Sequence, residues 1–348
     1  MNTFYTHEHS GYDSCLIGNL YSGNTDTTTE TKMTRNLIIT TSKEKSSQLS
    51  PLHFKTITFE DMHLITPYLN GQESRTTDFS YGGILMWVDV FNYEYCIYKN
   101  TLFIKGAVED DLTKPAFSMP LGELPLAESV KLLKEYCDEQ GIKLEFSAVP
   151  LSYLEDFRNL EPTKIEELED WADYLYDAEG LATLKGKKLS KKRNHVNRFM
   201  ADYHDHTLLT MTPENAILAL KFMDLFDLEG DDTEMAIIER EQTRKMIKEF
   251  MKGDNEMHGA LLLVDGKVVA FTIGDIVGDT LFIHIEKALR AYNGSYETIN
   301  TLFARKMLAE HPDIRYINRE DDSGDPGLRK AKESYHPITL LRKYNVIF

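Results

Sequence analysis

Three stretches of this 348-residue chain concentrate side chains able to hold anions or move protons. The first, Lys185 to Arg198, holds seven cations (Lys185, Lys187, Lys188, Lys191, Lys192, Arg193, Arg198) and no acid. A solvated helix face normally mixes signs. An all-cationic run therefore reads as a site for polyphosphate or an RNA backbone, whose binding releases counterions. The competing reading is a basic face docked on the protein's own carboxylates. The second stretch is Ile285-Glu286-Lys287-Ala288 followed by Tyr292-Asn293-Gly294-Ser295-Tyr296. Here a strand ends in a charged pair and turns through a glycine into a helix, whose free N–H groups and dipole suit an anion. An ordinary loop accounts for the same pattern. The third is Tyr316-Ile317-Asn318-Arg319-Glu320-Asp321-Asp322, followed by Gly324, Gly327, Arg329, Lys330, Lys332 and Tyr335. Core packing does not explain four consecutive charges at a strand end, and carboxylates beside Arg and Lys can be tuned for proton transfer. A surface turn capping the next helix competes.

These side chains need a scaffold, and the hydrophobic periodicity supplies one. Thr58 to Leu69 reads as a capped helix. Tyr95–Tyr98 and Thr101–Ile104 flank Lys99-Asn100 as a hairpin, a helix follows over 126–140 to Gly141, and 142–149 reads as a strand. The second half repeats this order. Ala260–Val264 and Val268–Ile273 flank the Asp265-Gly266 turn, and Leu281–Ile285 adds a strand. A helix over 296–310 then leads to a strand at 314–318. Between the copies, 168–176 reads as a helix on the seam. Thr212-Pro213 opens another helix, and 233–250 a third. The basic run carries Leu189, Val196, Phe199, Met200 and Tyr203 at helical spacing, so it reads as a connecting helix. The chain then divides into a flexible Ser/Thr-rich arm (1–50), a first α/β domain (51–183), a basic connection (184–210) and a second domain (211–348) bearing the site.

Composition limits the partners. Asp and Glu number 56 against 39 Lys and Arg, a net charge of −17, so the surface as a whole does not coat nucleic acid or anionic membrane. Cys15, Cys96 and Cys137 have no CxxC spacing, which argues against a disulfide framework or a structural zinc site. His7-Glu8-His9 has metal-ligand types but lies in a polar arm with little to bury, and His204-Asp205-His206 lacks a third ligand at useful spacing, so no metal is expected. No apolar run approaches the roughly 20 residues of a spanning helix, and a cytoplasmic location is expected. GxGxxG, Walker, HExxH and GxSxG motifs are absent.

Taken together, the motifs resemble a known family, the C-terminal catalytic region of phosphatidylglycerol lysyltransferases and its stand-alone bacterial relatives. The resemblance rests on Thr77-Asp78-Phe79-Ser80 with Met86-Trp87; on Leu184 to Leu189 with Lys191-Lys192-Arg193-Asn194-His195 and Arg198-Phe199; and on Asp265-Gly266-Lys267 with Ala270-Phe271. It continues through His284-Ile285-Glu286-Lys287-Ala288 with Tyr292, Gly294, Tyr296 and Asn300. It ends in Asn318-Arg319-Glu320-Asp321 with Gly327 to Lys332, Ser334-Tyr335 and Pro337. The resemblance spans about residues 55–346 and implies two tandem GNAT-type acyltransferase folds, each a mostly antiparallel mixed sheet with flanking helices. It further implies acyl or aminoacyl transfer. The membrane-spanning part of the characterised members has no counterpart in this sequence.

The expected chemistry is direct attack of an amine or hydroxyl on an ester or thioester carbonyl, with a carboxylate taking the proton and a fixed donor facing the oxyanion. Glu286 or Glu320 is the expected base, and Lys287, Arg319 or Tyr335 the donor. His284, Tyr292, Gly294, Ser295, Tyr296, Asn300, Asn318, Asp321, Arg329 and Lys332 are expected to contact substrate. Lys187, Lys188, Lys191, Lys192, Arg193 and Arg198 are expected on phosphates. No cofactor is expected to be tightly bound. The donor is aminoacyl-tRNA held by the basic helix, or acyl-CoA with its pyrophosphate at Gly294–Tyr296. The acceptor is a small molecule, lipid or peptide. A binding protein on a retired acyltransferase scaffold is the remaining reading.

Overall fold

The computed structural model describes residues 50–348 except 230–232 and 254. The Ser/Thr-rich arm, with His7, His9 and Cys15, lies outside the described residues apart from Ser50. In chain order the strands are β1 (Lys55–Thr56), β2 (Glu94–Tyr98), β3 (Thr101–Val108), β4 (Asp111–Phe117), β5 (Leu121–Gly122), β6 (Glu145–Pro150), β7 (Lys164–Glu167) and β8 (Asp173–Asp177). They continue with β9 (His206–Thr210), β10 (Met257–Val264), β11 (Lys267–Val277), β12 (Thr280–Ala288), β13 (Tyr316–Asn318), β14 (Thr339–Leu341) and β15 (Lys343–Ile347). The helices are α1 (Met62–Leu69), α2 (Tyr81–Trp87), α3 (Leu126–Gln140), α4 (Leu154–Arg158), α5 (Ala178–Thr183), α6 (Ser190–Asp202), α7 (Ile217–Phe226), α8 (Glu234–Lys252), α9 (Ser295–Glu310) and α10 (Pro326–Glu333).

Local chemistry accounts for many boundaries. Thr58 and Asp61 form a capping box ahead of α1. Thr233 accepts from the Ala236 N–H to start α8. Gly141 ends α3 at φ 66°, a left-handed turn that costs glycine nothing.

The strands form two sheets of corresponding construction. In the first, the antiparallel meander β2-β3-β4 steps through α3 to the parallel strand β6. In the second, β10-β11-β12 steps through α9 to the parallel strand β13. Each sheet then takes an antiparallel strand from the other half of the chain: β15 lies on β6, and β8 lies on β13. Strands β7 and β14 close the far edges. The sheets therefore do not divide at the expected 183/184 boundary, because β8 and β15 are reciprocally exchanged.

Two expectations change. Residues 168–176, read as a helix, form a short 3₁₀ turn and then β8. Its residues Asp173 to Tyr176 are buried where the strand pairs with β13 and β14, and sheet pairing overrides local propensity there. The basic run is helical only from Ser190, so Lys185, Lys187 and Lys188 sit in the preceding loop.

One apolar core joins the first sheet to the α7–α8 face of the second. Phe103, Phe117, Phe146, Phe222 and Phe271 belong to it. A second core lies between the opposite face of the second sheet and α5, α6 and α9. The exchanged strands meet at a buried ion cluster. Lys343 of β15 is 2% exposed, and its ammonium lies 2.8 Å from Asp173 of β8 and 2.9 Å from Asp78. Breaking such a pair strands a buried charge, so Lys343→Met should lower the unfolding free energy by about 3–5 kcal/mol. Urea unfolding followed by circular dichroism reads this, and a loss under about 1 kcal/mol would show that the cluster does not hold the exchange.

Candidate functional site

A bulge in β12 decides which side chains meet. Strand β12 pairs regularly with β11 from Ala288 opposite Ala270 to Ile285 opposite Ile273, then resumes at Ile283 opposite Gly274. His284 is the extra residue. A single inserted residue reverses the face taken by everything beyond it. Glu286 therefore faces α9, where Asn300 Nδ2 donates to it at 3.0 Å. His284 faces α2, so closely that a Cβ on Gly82 would sit 2.3 Å from its Cδ2. Lys287 also turns away from Glu286, to Glu239 of α8 and the Phe226 ring.

Around Glu286 the contacts close into a ring. Arg319 Nη2 donates to its carboxylate at 2.7 Å. The Arg319 guanidinium lies 4.6 Å from the centre of the Tyr335 ring, and the Lys192 ammonium 4.1 Å from the same centre. Lys192 in turn pairs with Glu297 at 3.3 Å. Glu297 and Asn300 stand one turn apart on α9, so the circuit Glu297–Lys192–Tyr335–Arg319–Glu286–Asn300 begins and ends on one helix. Burial opposes the charge of Arg319, but its neighbours, Glu286 foremost, lift its pKa above the usual arginine value. Loss of solvent pushes the Tyr335 phenol up against the pull of Arg319.

Polar atoms without partners collect at the same place. Asn300 Oδ1 and Arg319 Nη1 are buried and make no hydrogen bond of good geometry, although the Tyr335 phenol interacts with the same guanidinium. Thr272 Oγ1, on the residue opposite Glu286 in β11, makes none either. The amide orientation is fixed, since only the Nδ2 end of Asn300 can face a carboxylate. Unmade hydrogen bonds of this kind cost about 1–3 kcal/mol each. They are the atoms that a bound polar group would satisfy.

Glu320 lies on the opposite side of the sheet from Glu286. It adopts φ 59°, uncommon for a non-glycine residue, and takes the face opposite Arg319 as neighbours along an extended chain do. Its carboxylate receives His284 Nδ1 at 2.8 Å and the Thr77 hydroxyl at 3.3 Å. His284 Nε2 contacts Asp275, whose other oxygen accepts the Tyr81 N–H at 3.0 Å. Burial alone would lower the His284 pKa, but Asp275 and Glu320 overcome it and raise the imidazole to about 10. The residues expected on base, donor and substrate contacts thus fall into two clusters: Glu286, Arg319, Asn300 and Tyr335 on one face, and His284 with Glu320 on the other.

The remaining expected residues divide between structure and surface. Asn318 is fully buried, donating to Arg75 O at 2.7 Å and Asp173 at 2.8 Å. Asp321 accepts from Ser323, and burial raises its pKa. Lys332 donates to the Asp321 carbonyl, and burial lowers its pKa. Arg329 bridges Asp322 and Asp170. Tyr292 packs on Tyr203, and the Ser295 hydroxyl donates to Leu289 O at 3.2 Å. Gly294, at φ 85°, abuts α6; a Cβ there would lie 2.7 Å from His195 O. The turn expected to cradle an anion is thus packed against α6. Tyr296 remains half exposed beside it.

The basic stretch is partitioned. Arg193 donates to the carbonyls of Leu184 and Gly186, which folds the 184–189 loop around its guanidinium. Lys192 points inward. Lys187, Lys188 and Lys191 are exposed, with no ion pair among the described residues, while Lys185 and Arg198 make exposed pairs with Glu179 and Asp202. A cavity of about 270 Å³ opens between Lys185, Lys187, Lys188, Tyr176 and Tyr335. The Tyr335 ring thus separates the lysines from Arg319. Sequence reasoning missed Thr272, Asp275, Glu297 and Lys343 as site or seam residues. Asp275 and Lys343 were detectable as charges inside apolar strands. Thr272 and Glu297 carried no signal. Among the described residues no group of three or more His, Cys, Asp or Glu could hold a metal ion, and no helix is long and apolar enough to cross a membrane.

Two meanders, each followed by a crossover helix and a parallel strand, make this a tandem GNAT-type acyltransferase fold. The chain belongs to the family described as phosphatidylglycerol lysyltransferase, C-terminal, which matches residues 71–347. A conserved protein of unknown function from Bacteroides thetaiotaomicron is 32% identical, with TM-score 0.77 over 85% of this chain and 99% of that one. The C-terminal domain of a putative lysylphosphatidylglycerol synthetase from Agrobacterium fabrum shares the fold at 16% identity, with TM-score 0.59 over 83% of this chain and 91% of that one. An uncharacterized protein of Mycoplasmoides gallisepticum is 27% identical over 184 residues, which is 51% of this chain and 56% of that protein.

The His284 cluster carries a pH signature. Its pKa stands above the ordinary 6.5, so its stabilisation is complete below 6.5 and lost as pH rises through about 10. Melting temperatures measured from pH 6 upward should fall in the native protein, and His284→Gln should flatten that fall. Parallel curves would show that His284 does not bind its proton more tightly when folded.

Proposed function

We propose that this protein transfers an α-aminoacyl group from aminoacyl-tRNA to an amine or hydroxyl acceptor. The observation that carries the reading is the complementary set of unpartnered atoms beside Glu286. Asn300 Oδ1 needs a donor and Arg319 Nη1 needs an acceptor. An α-aminoacyl ester supplies both, its ammonium to Asn300 and Glu286 and its carbonyl oxygen to Arg319. A plain acyl thioester supplies only the carbonyl. The packing of Gly294 against α6 also speaks against a pyrophosphate at that turn.

In this mechanism the acceptor attacks the ester carbon, Arg319 stabilises the developing oxyanion, and the bond to the ribose oxygen breaks. The proton lost by the acceptor is relayed through the Glu286 carboxylate to that leaving oxygen. Lys187, Lys188 and Lys191 hold tRNA phosphates, close to the reaction centre but behind Tyr335.

Bacterial tRNA charged with radiolabelled amino acids, with hydroxylamine as surrogate acceptor, tests this. The protein should release label as hydroxamate, and Glu286→Gln should slow release by about 10²-fold or more. Consumption of acetyl-CoA with aminoacyl-tRNA left intact would overturn the reading. Replacing Lys187, Lys188 and Lys191 together by Ala should weaken tRNA binding and flatten its salt slope by about two units. An unchanged slope would remove these lysines from the interface.

A further inference from the structure

Lys192 belongs by sequence to the cationic run, yet the fold withdraws it from that role. Its side chain is 16% exposed, as is that of its partner Glu297. Its ammonium sits on the ring that also carries Arg319. Two cations on one aromatic ring are tolerated because each has its own carboxylate: Glu297 for Lys192 and Glu286 for Arg319. The ring is thereby held by two anchored cations, and with it the direction in which Arg319 presents Nη1.

We infer that Lys192 is a positioning residue, acting through the Tyr335 ring to hold Arg319 in register with Glu286, and not a phosphate contact. The inference rests on the aminoacyl-transfer reading for its kinetic consequence. Its mechanical content is independent of that reading. Desolvated cation–π contacts are the stronger ones, and both contacts here lie on a ring that is 6% exposed. Removing the ammonium takes one of the two cations off the ring and leaves Glu297 without its cation. The Arg319 guanidinium then loses the wall that orients it. Misplacement of a catalytic group by about 1 Å costs on the order of 10²-fold in rate. Lys187 and Lys188 lie outside this circuit, on the other side of Tyr335.

Lys192→Met and Lys192→Arg test the inference in the full chain, with three readings: affinity for uncharged bacterial tRNA, hydroxamate formation from charged tRNA, and hydrogen exchange at the Arg319 Nε–H followed by NMR. Lys192→Met should cut kcat by at least about tenfold. It should also speed the Arg319 exchange while leaving tRNA affinity within about twofold. Lys192→Arg, which keeps a cation on the ring, should restore both. Weakened tRNA binding with kcat intact would return Lys192 to the phosphate contacts and overturn the inference. So would an unchanged Arg319 signal in Lys192→Met, or failure of Lys192→Arg to rescue. If the native protein transfers no aminoacyl group, the proposed function fails, and the Arg319 exchange still decides whether Lys192 holds the guanidinium.

Discussion

The ammonium of Lys343 has no route to water. Strand β15 carries it into the seam, where Asp173 and Asp78 surround it, and where burial disfavours its charge while Asp173 and then Asp78 restore it. A buried charge is tolerated only when its counter-charges are fixed in place. Asp173 is fixed by Asn318 and by the Thr77 N–H at 2.6 Å, and Asn318 receives the Glu320 N–H at 2.6 Å. The exchange of β8 and β15, the end of β13 and the left-handed turn at Glu320 therefore depend on one another. At the end of β13, ordinary alternation puts Arg319 on one face of the sheet and Glu320 on the other.

The β12 bulge makes the same division from the opposite side. In an unbulged strand His284 and Glu286, two residues apart, would share a face, and with them both carboxylates. The bulge instead gives His284 to the contact between the halves of the fold and leaves Glu286 with α9. One cluster holds the two halves together through Asp275, Thr77 and Gly82. The other keeps unpartnered polar atoms around a buried carboxylate, an arrangement that folding alone does not favour.

The basic segment illustrates how one sequence feature serves two ends. Arg193 is used up in shaping its own loop, and Lys192 in the circuit on α9. Lys187, Lys188 and Lys191 remain in solvent. The cations of the run thus have different surroundings: within α6 successive residues turn about 100° apart and cannot all face outward, and Lys187 and Lys188 lie in the loop before it.

By itself the sequence determined what depends on neighbours along the chain. The capping box at Thr58 and Asp61, the Lys99-Asn100 and Asp265-Gly266 turns, the helices ending at Gly141 and starting near Ser295, and the repeated order of hairpin, helix and strand are all local. The family motifs named Glu286, Asn300, Arg319 and Tyr335, whose meeting the fold then brings about. Tertiary structure alone decided the rest. Residues 173–177 became a strand only because β13 and β14 lie on either side to pair with it. Whether Glu286 would share a face with His284 and its partner Glu320 turned on a one-residue bulge, which no periodicity records. Glu297 and Lys343 gained their roles from partners 105 and more than 100 residues distant. Such pairings are set by packing and desolvation in the folded chain, where the cost of burying a charge depends on what stands beside it.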